Sequence, residues 1–162
     1  MSKSNSPIDS KLTCEDSATG TFRYNNSTNY YCVNRYDFTE FLEKYAQTHN
    51  LSQSRICYHS EDSSILQLML VFHSTLHKVK KHVHLEKDEY LHILKGSLEV
   101  RIYNKDNLII SIISLSDDTS DKNSNLFCFL PRGVIHDVVI NRDACFLETT
   151  TGPFDKLSTL NL

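Results

Sequence analysis

Tryptophan is missing from this 162-residue chain, which decides nothing, but other absences exclude whole classes of protein. There is no surplus of positive charge: the net charge is -3 with the eight histidines counted neutral. The electrostatic footprint that holds nucleic acid or an anionic membrane is therefore missing, and neither is expected as a partner. No apolar run reaches the ~20 residues of a membrane-spanning helix. The Ser- and Asn-rich amino-terminal stretch also lacks the hydrophobic centre of a signal peptide. The five cysteines, Cys14, Cys32, Cys57, Cys128 and Cys145, are odd in number, widely spaced and without a C-x-x-C pair. They read as reduced thiols in a cytoplasmic protein. A Gly-rich phosphate loop, a G-x-S-x-G nucleophile motif and paired acids for glycoside chemistry are all lacking, which removes most hydrolase and kinase readings.

What is present fits one domain, which at this length buries roughly 70% of the surface of its unfolded chain. Residues 1–29 carry few branched apolar groups and are expected to be a mobile leader, with a short strand at 30–33 and a single domain over 30–158. Asp37 and Glu40 have capping-box spacing, and Phe38, Phe41, Leu42 and Tyr45 then recur at helical spacing. They predict an amphipathic helix over 37–49, stopped by Asn50. From Arg55 onward the period changes to two. Segments 55–59, 65–71, 79–84, 89–95, 98–103, 108–115, 126–130, 134–140 and 145–149 are short and rich in branched or aromatic residues. They predict an all-β barrel or sandwich, followed by a tail at 159–162.

Chemistry concentrates in two places. His82 and His84 are separated by one residue, so on a strand both imidazoles point to the same side. After four intervening residues Glu89 opens a further apolar run that Gly96 closes. Downstream, Pro131 and Gly133 form a turn ahead of a third histidine, His136. Three neutral imidazoles and a carboxylate suit a divalent transition metal such as Fe, Mn, Ni, Cu or Zn.

The first stretch resembles the first motif of the cupin family, H-x-H, three or four residues, E, six residues, G, through His82, His84, Glu89 and Gly96. The second resembles the family's P-x-G, two residues, H, through Pro131, Gly133 and His136. Leu76 stands where the family usually has a glycine, and the asparagine expected after the last histidine is displaced by one position, to Asn141. The stretches 55–59, 67–70 and 148–154 look like the cupin fold metalloproteins of the WbuC type, associated with lipopolysaccharide O-antigen gene clusters. The resemblance implies a cupin double-stranded β-helix, a jelly-roll barrel, with one amino-terminal helix. It also implies a centre of His82, His84, Glu89 and His136 holding Fe, Zn, Mn or Ni in one barrel mouth, and a homodimer. By function it points to a metal-dependent cupin acting on a sugar or sugar-nucleotide-like small molecule, as an isomerase or epimerase. An Fe(II)-dependent dioxygenase and a non-catalytic small-molecule-binding cupin are the alternatives.

Strand parity nominates further residues. Arg55 and His59 share a face, with Cys57 between them, and are candidates for catalysis or for holding an anionic substrate, against the alternative of a salt-bridged arginine and a hydrogen-bonded histidine. Arg101 and Tyr103 share a face and are candidates for a phosphate or sugar hydroxyl, against the alternative of a plain surface pair. His92 has the parity opposite to Glu89 and is left out of the metal site. His49, His73 and His77 are expected to do ordinary polar work. Cys57, Cys128 and Cys145 are expected to be small core residues.

Overall fold

The structure, a computed structural model, describes residues 11–25 and 35–162. Among them are ten strands and one α-helix: β1 (Leu12–Asp16), β2 (Thr21–Tyr24), α1 (Arg35–Thr48), β3 (Gln53–Cys57), β4 (Leu66–His73), β5 (Val79–His84), β6 (Glu89–Tyr103), β7 (Ile109–Ser116), β8 (Phe127–Leu130), β9 (Ile135–Thr151) and β10 (Thr159–Asn161).

The two longest strands organise the rest. β6 and β9 run antiparallel along their whole length, from Glu89 opposite Thr150 to Tyr103 opposite Ile135. Their other edges change partner half-way. The first half of β9 pairs with β5 and its second half with β4, whereas the first half of β6 pairs with β8 and its second half with β7. Both strands thus pass from one layer to the other. One layer reads β1-β2-β3-β4-β9-β6-β8 and the other β10-β5-β9-β6-β7. The result is a jelly-roll sandwich whose sheet is not closed into a full ring.

The crossing is made at Gly96. The β6–β9 register slips three times between Ile93 and Leu98, and Gly96 sits there at φ +86°. A Cβ at this position would lie 2.0 Å from the Asp143 carbonyl oxygen, so only glycine permits the approach. This is why the expected segments 89–95 and 98–103 are one bent strand instead of two strands separated by a turn.

Leu91, Ile93, Leu98, Val100, Leu115, Val138, Ile140 and Phe146 fill the space between the layers with Cys57, Cys128, Met69 and Val71. The odd positions of β4 and the even positions of β9 face this interior. A second apolar cluster lies on the outer face of the β3–β4–β9 layer. Phe38, Leu42 and Ala46, spaced four apart on α1, pack there against Ile56, Leu70, Phe72 and Cys145. The Ser54 hydroxyl ties the layer to the helix by donating to the Leu42 carbonyl at 2.9 Å. The helix starts at Arg35, two residues before the expected Asp37 cap. Asn50 takes the left-handed conformation at φ +55° that ends it.

Two expectations need correction. The leader expected over 1–29 contains the β1–β2 hairpin, and β2 adds to the sheet in parallel with β3, Phe22 beside Ile56. Phe22 is 6% exposed and meets Phe41 and Tyr45 edge-on at 5.1 and 4.8 Å. The average composition of the segment hid four residues, Thr21 to Tyr24, whose aromatic area offsets their ordering entropy. The expected tail at 159–162 holds β10, which pairs with β5. The short strand expected at 30–33 lies outside the described residues. Among the described residues no helix is long and apolar enough to cross a membrane, and Cys14, Cys57, Cys128 and Cys145 form no disulfide.

Candidate metal centre

β5 carries a register irregularity between Val79 and His82. Three positions apart, these residues would face opposite ways on a regular strand, but both reach the interior side: Val79 packs on the core and His82 lines the same cavity. His84 follows with the parity of His82. Across the ladder, His136 of β9 is the direct partner of His82. Glu89, 6% exposed, enters from the first position of β6. The loops ahead of Glu89 and His136 are tied together. Gly133, at φ +84°, donates its N–H to the His84 carbonyl at 2.7 Å. Arg132 makes a two-pronged pair with Asp88 at 3.1 and 3.2 Å, and its own N–H also reaches that carboxylate at 3.0 Å.

These elements bring one ligand atom from each of His82, His84, Glu89 and His136 to within 4.8 Å of one another. Ligand atoms each ~2.1 Å from one ion lie no more than roughly 4.2 Å apart, so small side-chain shifts would let all four share one. Glu89 Oε2 lies 3.2 Å from His136 Nε2 and 3.4 Å from His84 Nε2. Even so, Glu89 Oε2 and His136 Nε2 are buried with no hydrogen-bond partner, because the contact lacks hydrogen-bond direction. Buried polar atoms are seldom left so, and a cation between them would satisfy both.

The far sides of the rings select the nitrogen that faces inward. His82 Nδ1 lies 2.8 Å from the Lys80 carbonyl and His136 Nδ1 3.1 Å from the Val134 carbonyl. A carbonyl only accepts, so both Nδ1 atoms carry the proton and each neutral ring presents its Nε2 lone pair to the centre. His84 Nδ1 is 2.9 Å from the Thr159 hydroxyl.

Charge is concentrated here. Burial works against ionising Glu89, yet its contacts with His136 and His84 outweigh burial and bring its pKa down to about 2. Burial alone would lower the pKa of His136, but the Glu89 carboxylate raises it above the usual imidazole value. His82 is lowered by burial and by the neighbouring His136. A proton and a divalent ion would compete for the same His136 Nε2 lone pair.

The four side chains open into a cavity of about 140 Å³ walled by Leu91, Val138 and Phe146, with His73 and Glu148 also lining it. Burial, then the Glu89 charge, pushes the Glu148 carboxyl up to about 7, with Arg55 and Lys87 opposing. His73 is held well below the usual imidazole range by burial, then by His77 and Arg55. Its Nδ1 is buried without a partner. The sequence reading gave neither residue a role at the site, although parity held the signal: His73 follows Met69 and Val71 on the inner face of β4, and Glu148 follows Ala144 and Phe146 on that of β9.

The other nominated residues divide. Arg55 is half-buried, its side chain makes no hydrogen bond or ion pair among the described residues, and it acts on His73 and Glu148 through its charge without lining the cavity. His59 lies beyond the end of β3 with Nδ1 3.3 Å from the Leu68 carbonyl, and Arg23 donates to the His59 carbonyl at 3.0 Å. It is not brought to the cluster. Arg101 and Tyr103 are on the opposite face from His136 and spend their donors on Asp137, at 2.8 and 2.5 Å for the guanidinium and 2.8 Å for the phenol. They form a structural triad away from the cavity, which corrects the expectation of a substrate contact. His92 is on the outer face, 6.4 Å from the Phe127 ring.

No family model matches the chain, and no curated protein matches it. Solved structures do. Protein SO0799 of Shewanella oneidensis superposes with a TM-score of 0.52 at 15% identity over 65% of this chain and 66% of its own. Oxalate decarboxylase from Bacillus subtilis gives 0.49 at 20% identity over 62% of this chain and 24% of its own. KdgF from Halomonas sp. gives 0.49 at 15% identity over 65% and 82%. The chain thus spans about two thirds of the first of these proteins and about a quarter of the second. The fold is a jelly roll with one amino-terminal helix. Within it sits a three-histidine, one-glutamate cluster able to hold a metal ion.

Proposed function

We propose that His82, His84, Glu89 and His136 hold one divalent transition-metal ion, Fe, Zn, Mn or Ni, and that the protein is a metal-dependent cupin acting on a small molecule in the adjoining cavity. The observation that carries this is the pair of buried, unpartnered atoms Glu89 Oε2 and His136 Nε2, flanked by histidines whose Nδ1 atoms are engaged elsewhere. Bound there with positions left open, the ion would supply Lewis-acid polarisation of a carbonyl or hydroxyl oxygen. Around it, Leu91, Val138 and Phe146 give the cavity apolar walls, and Glu148, lining the same cavity, is the carboxyl placed to carry a proton.

An isomerase or epimerase acting on a sugar or sugar nucleotide in O-antigen synthesis is the finer reading, and it rests on the WbuC resemblance. The cavity of about 140 Å³ is well below the several hundred Å³ of sites that enclose a whole drug-sized ligand. That favours entry of the reacting end of such a molecule and not the whole. An Fe(II) dioxygenase and a binding module are the competing readings, and oxygen uptake with candidate substrates separates them. We place the protein in the cytoplasm as a homodimer, a pairing supported by the exposed Tyr90, Phe127 and Phe129 on one outer face.

Elemental analysis of protein purified without chelator tests the centre. About one ion per chain in the wild type, lost in both His82→Ala and His136→Ala, is expected. Full occupancy in either variant sinks the proposal.

A further inference from the structure

β5, which carries two of the four ligand residues, would be an edge strand of its layer if β10 were absent. β10 covers that edge register by register: Thr159 stands opposite His84, Leu160 opposite Val83 and Asn161 opposite His82. Backbone bonds close both ends of the pairing, Leu85 N–H to the Ser158 carbonyl at 2.8 Å and Leu162 N–H to the Lys81 carbonyl at 2.9 Å. A short 3₁₀ turn at Lys156–Ser158, capped by the Asp155 carboxylate accepting from the Leu157 N–H at 2.9 Å, aims the strand onto β5. The one side-chain link from β10 to the cluster is Thr159 Oγ1, 2.9 Å from His84 Nδ1.

His82 and His136 have their tautomers set by main-chain carbonyls, which cannot donate. His84 differs, because a hydroxyl can give or take a proton. Only with Oγ1 accepting from Nδ1–H does the neutral His84 ring point its Nε2 lone pair at the centre. We propose that Thr159 is a positioning residue for the metal centre, orienting the His84 ring and selecting its Nε2-coordinating tautomer, so that β10 is part of the metal-binding apparatus. This rests on the four-ligand reading above. Thr159 is half-buried at the margin of the sheet and outside both apolar clusters, so its removal leaves the core intact.

The test is Zn(II) affinity, measured on the full chain by competition with a chromophoric chelator, beside the visible absorption of the Co(II)-loaded protein. Thr159→Val, which keeps the shape and loses the hydroxyl, is expected to weaken Zn(II) binding about tenfold or more, the usual cost of losing a partner behind a metal-bound histidine. It should also shift the Co(II) bands while the metal-free melting temperature stays put. Thr159→Ser should restore affinity to within about twofold, because the acceptor is back. In a His84→Ala background, Thr159→Val should change nothing further, since the ring it orients is gone. Valine binding as tightly as threonine, serine binding as weakly as valine, or an undiminished loss in the His84→Ala background would each overturn the assignment while leaving the four-ligand centre standing. A wild-type protein that takes up neither Zn(II) nor Co(II) overturns that centre and this inference with it.

Discussion

His82 and His136 stand directly opposite each other in the ladder between β5 and β9, with ring centroids 4.2 Å apart. Two imidazoles from distant parts of the chain are held side by side by backbone hydrogen bonds, their planes inclined at 59°, so their spacing is a property of the sheet and not of mobile loops. Rings of the same charge cannot be tolerated that close, and burial with His136 depresses the pKa of His82.

Metal affinity should therefore depend on pH with a definite sign. Glu89 raises the pKa of His136, so protons compete for its Nε2 from above the ordinary imidazole value of 6.5 downward. Titration calorimetry should find tighter binding at about pH 8 than at about pH 6, with proton release on binding. Equal affinities would remove the imidazoles from the ligand set.

In the metal-free protein the contribution of His136 has the opposite sense. A raised His136 contributes stability that is fully present below its unfolded pKa of 6.5 and is lost as pH rises through the folded value. Glu89, lowered to about 2, contributes in full above 4.5 and loses its share progressively as pH falls from there to about 2. His136→Asn should accordingly lower the melting temperature of chelator-treated protein more at about pH 6 than at about pH 8.5.

Gly96→Ala should be among the most damaging single changes to the fold. The added Cβ meets a main-chain oxygen at 2.0 Å and the residue needs φ +86°, so both sheet layers must shift. A loss on the order of 3 kcal/mol or more is expected in denaturant unfolding. A midpoint unchanged from wild type would mean that β6 does not cross between layers as described.

Phe22→Ala tests the amino-terminal hairpin. A buried phenylalanine between α1 and β3 should cost about 3 kcal/mol and expose residues 11–25 to limited proteolysis. Unaltered stability and the same cleavage pattern would return this segment to the mobile leader expected from its composition.

Arg101→Ala should leave metal binding and any turnover unchanged, because the guanidinium is engaged with Asp137 away from the cavity. With the Arg101 side chain 34% exposed, the loss of stability should be about 1 kcal/mol. Burial works against ionising Asp137, but Arg101 and Tyr103 lower its pKa, so the contribution is present above the ordinary value of 3.8 and fades as pH falls below it. An increase in the Michaelis constant for a substrate, with stability intact, would reinstate Arg101 as a substrate contact.

The all-β class, the helix and the four clustered residues were legible in the amino-acid order, because period two, period 3.6 and ligand spacing are local properties. The same parity that groups His82 with His84 would have placed His73 and Glu148 on inner faces. What no local pattern could supply was which strands become neighbours. The bulge in β5, the passage of β6 and β9 between layers at Gly96, and the docking of β2 and β10 are set by contacts between residues far apart in the chain. So are the pairing of Arg101 with Asp137, which took it from the candidate site, and the placement of Thr159 behind His84. Each depends on which backbone edges and apolar faces remain open once the core has formed, and that is decided only when the layers close.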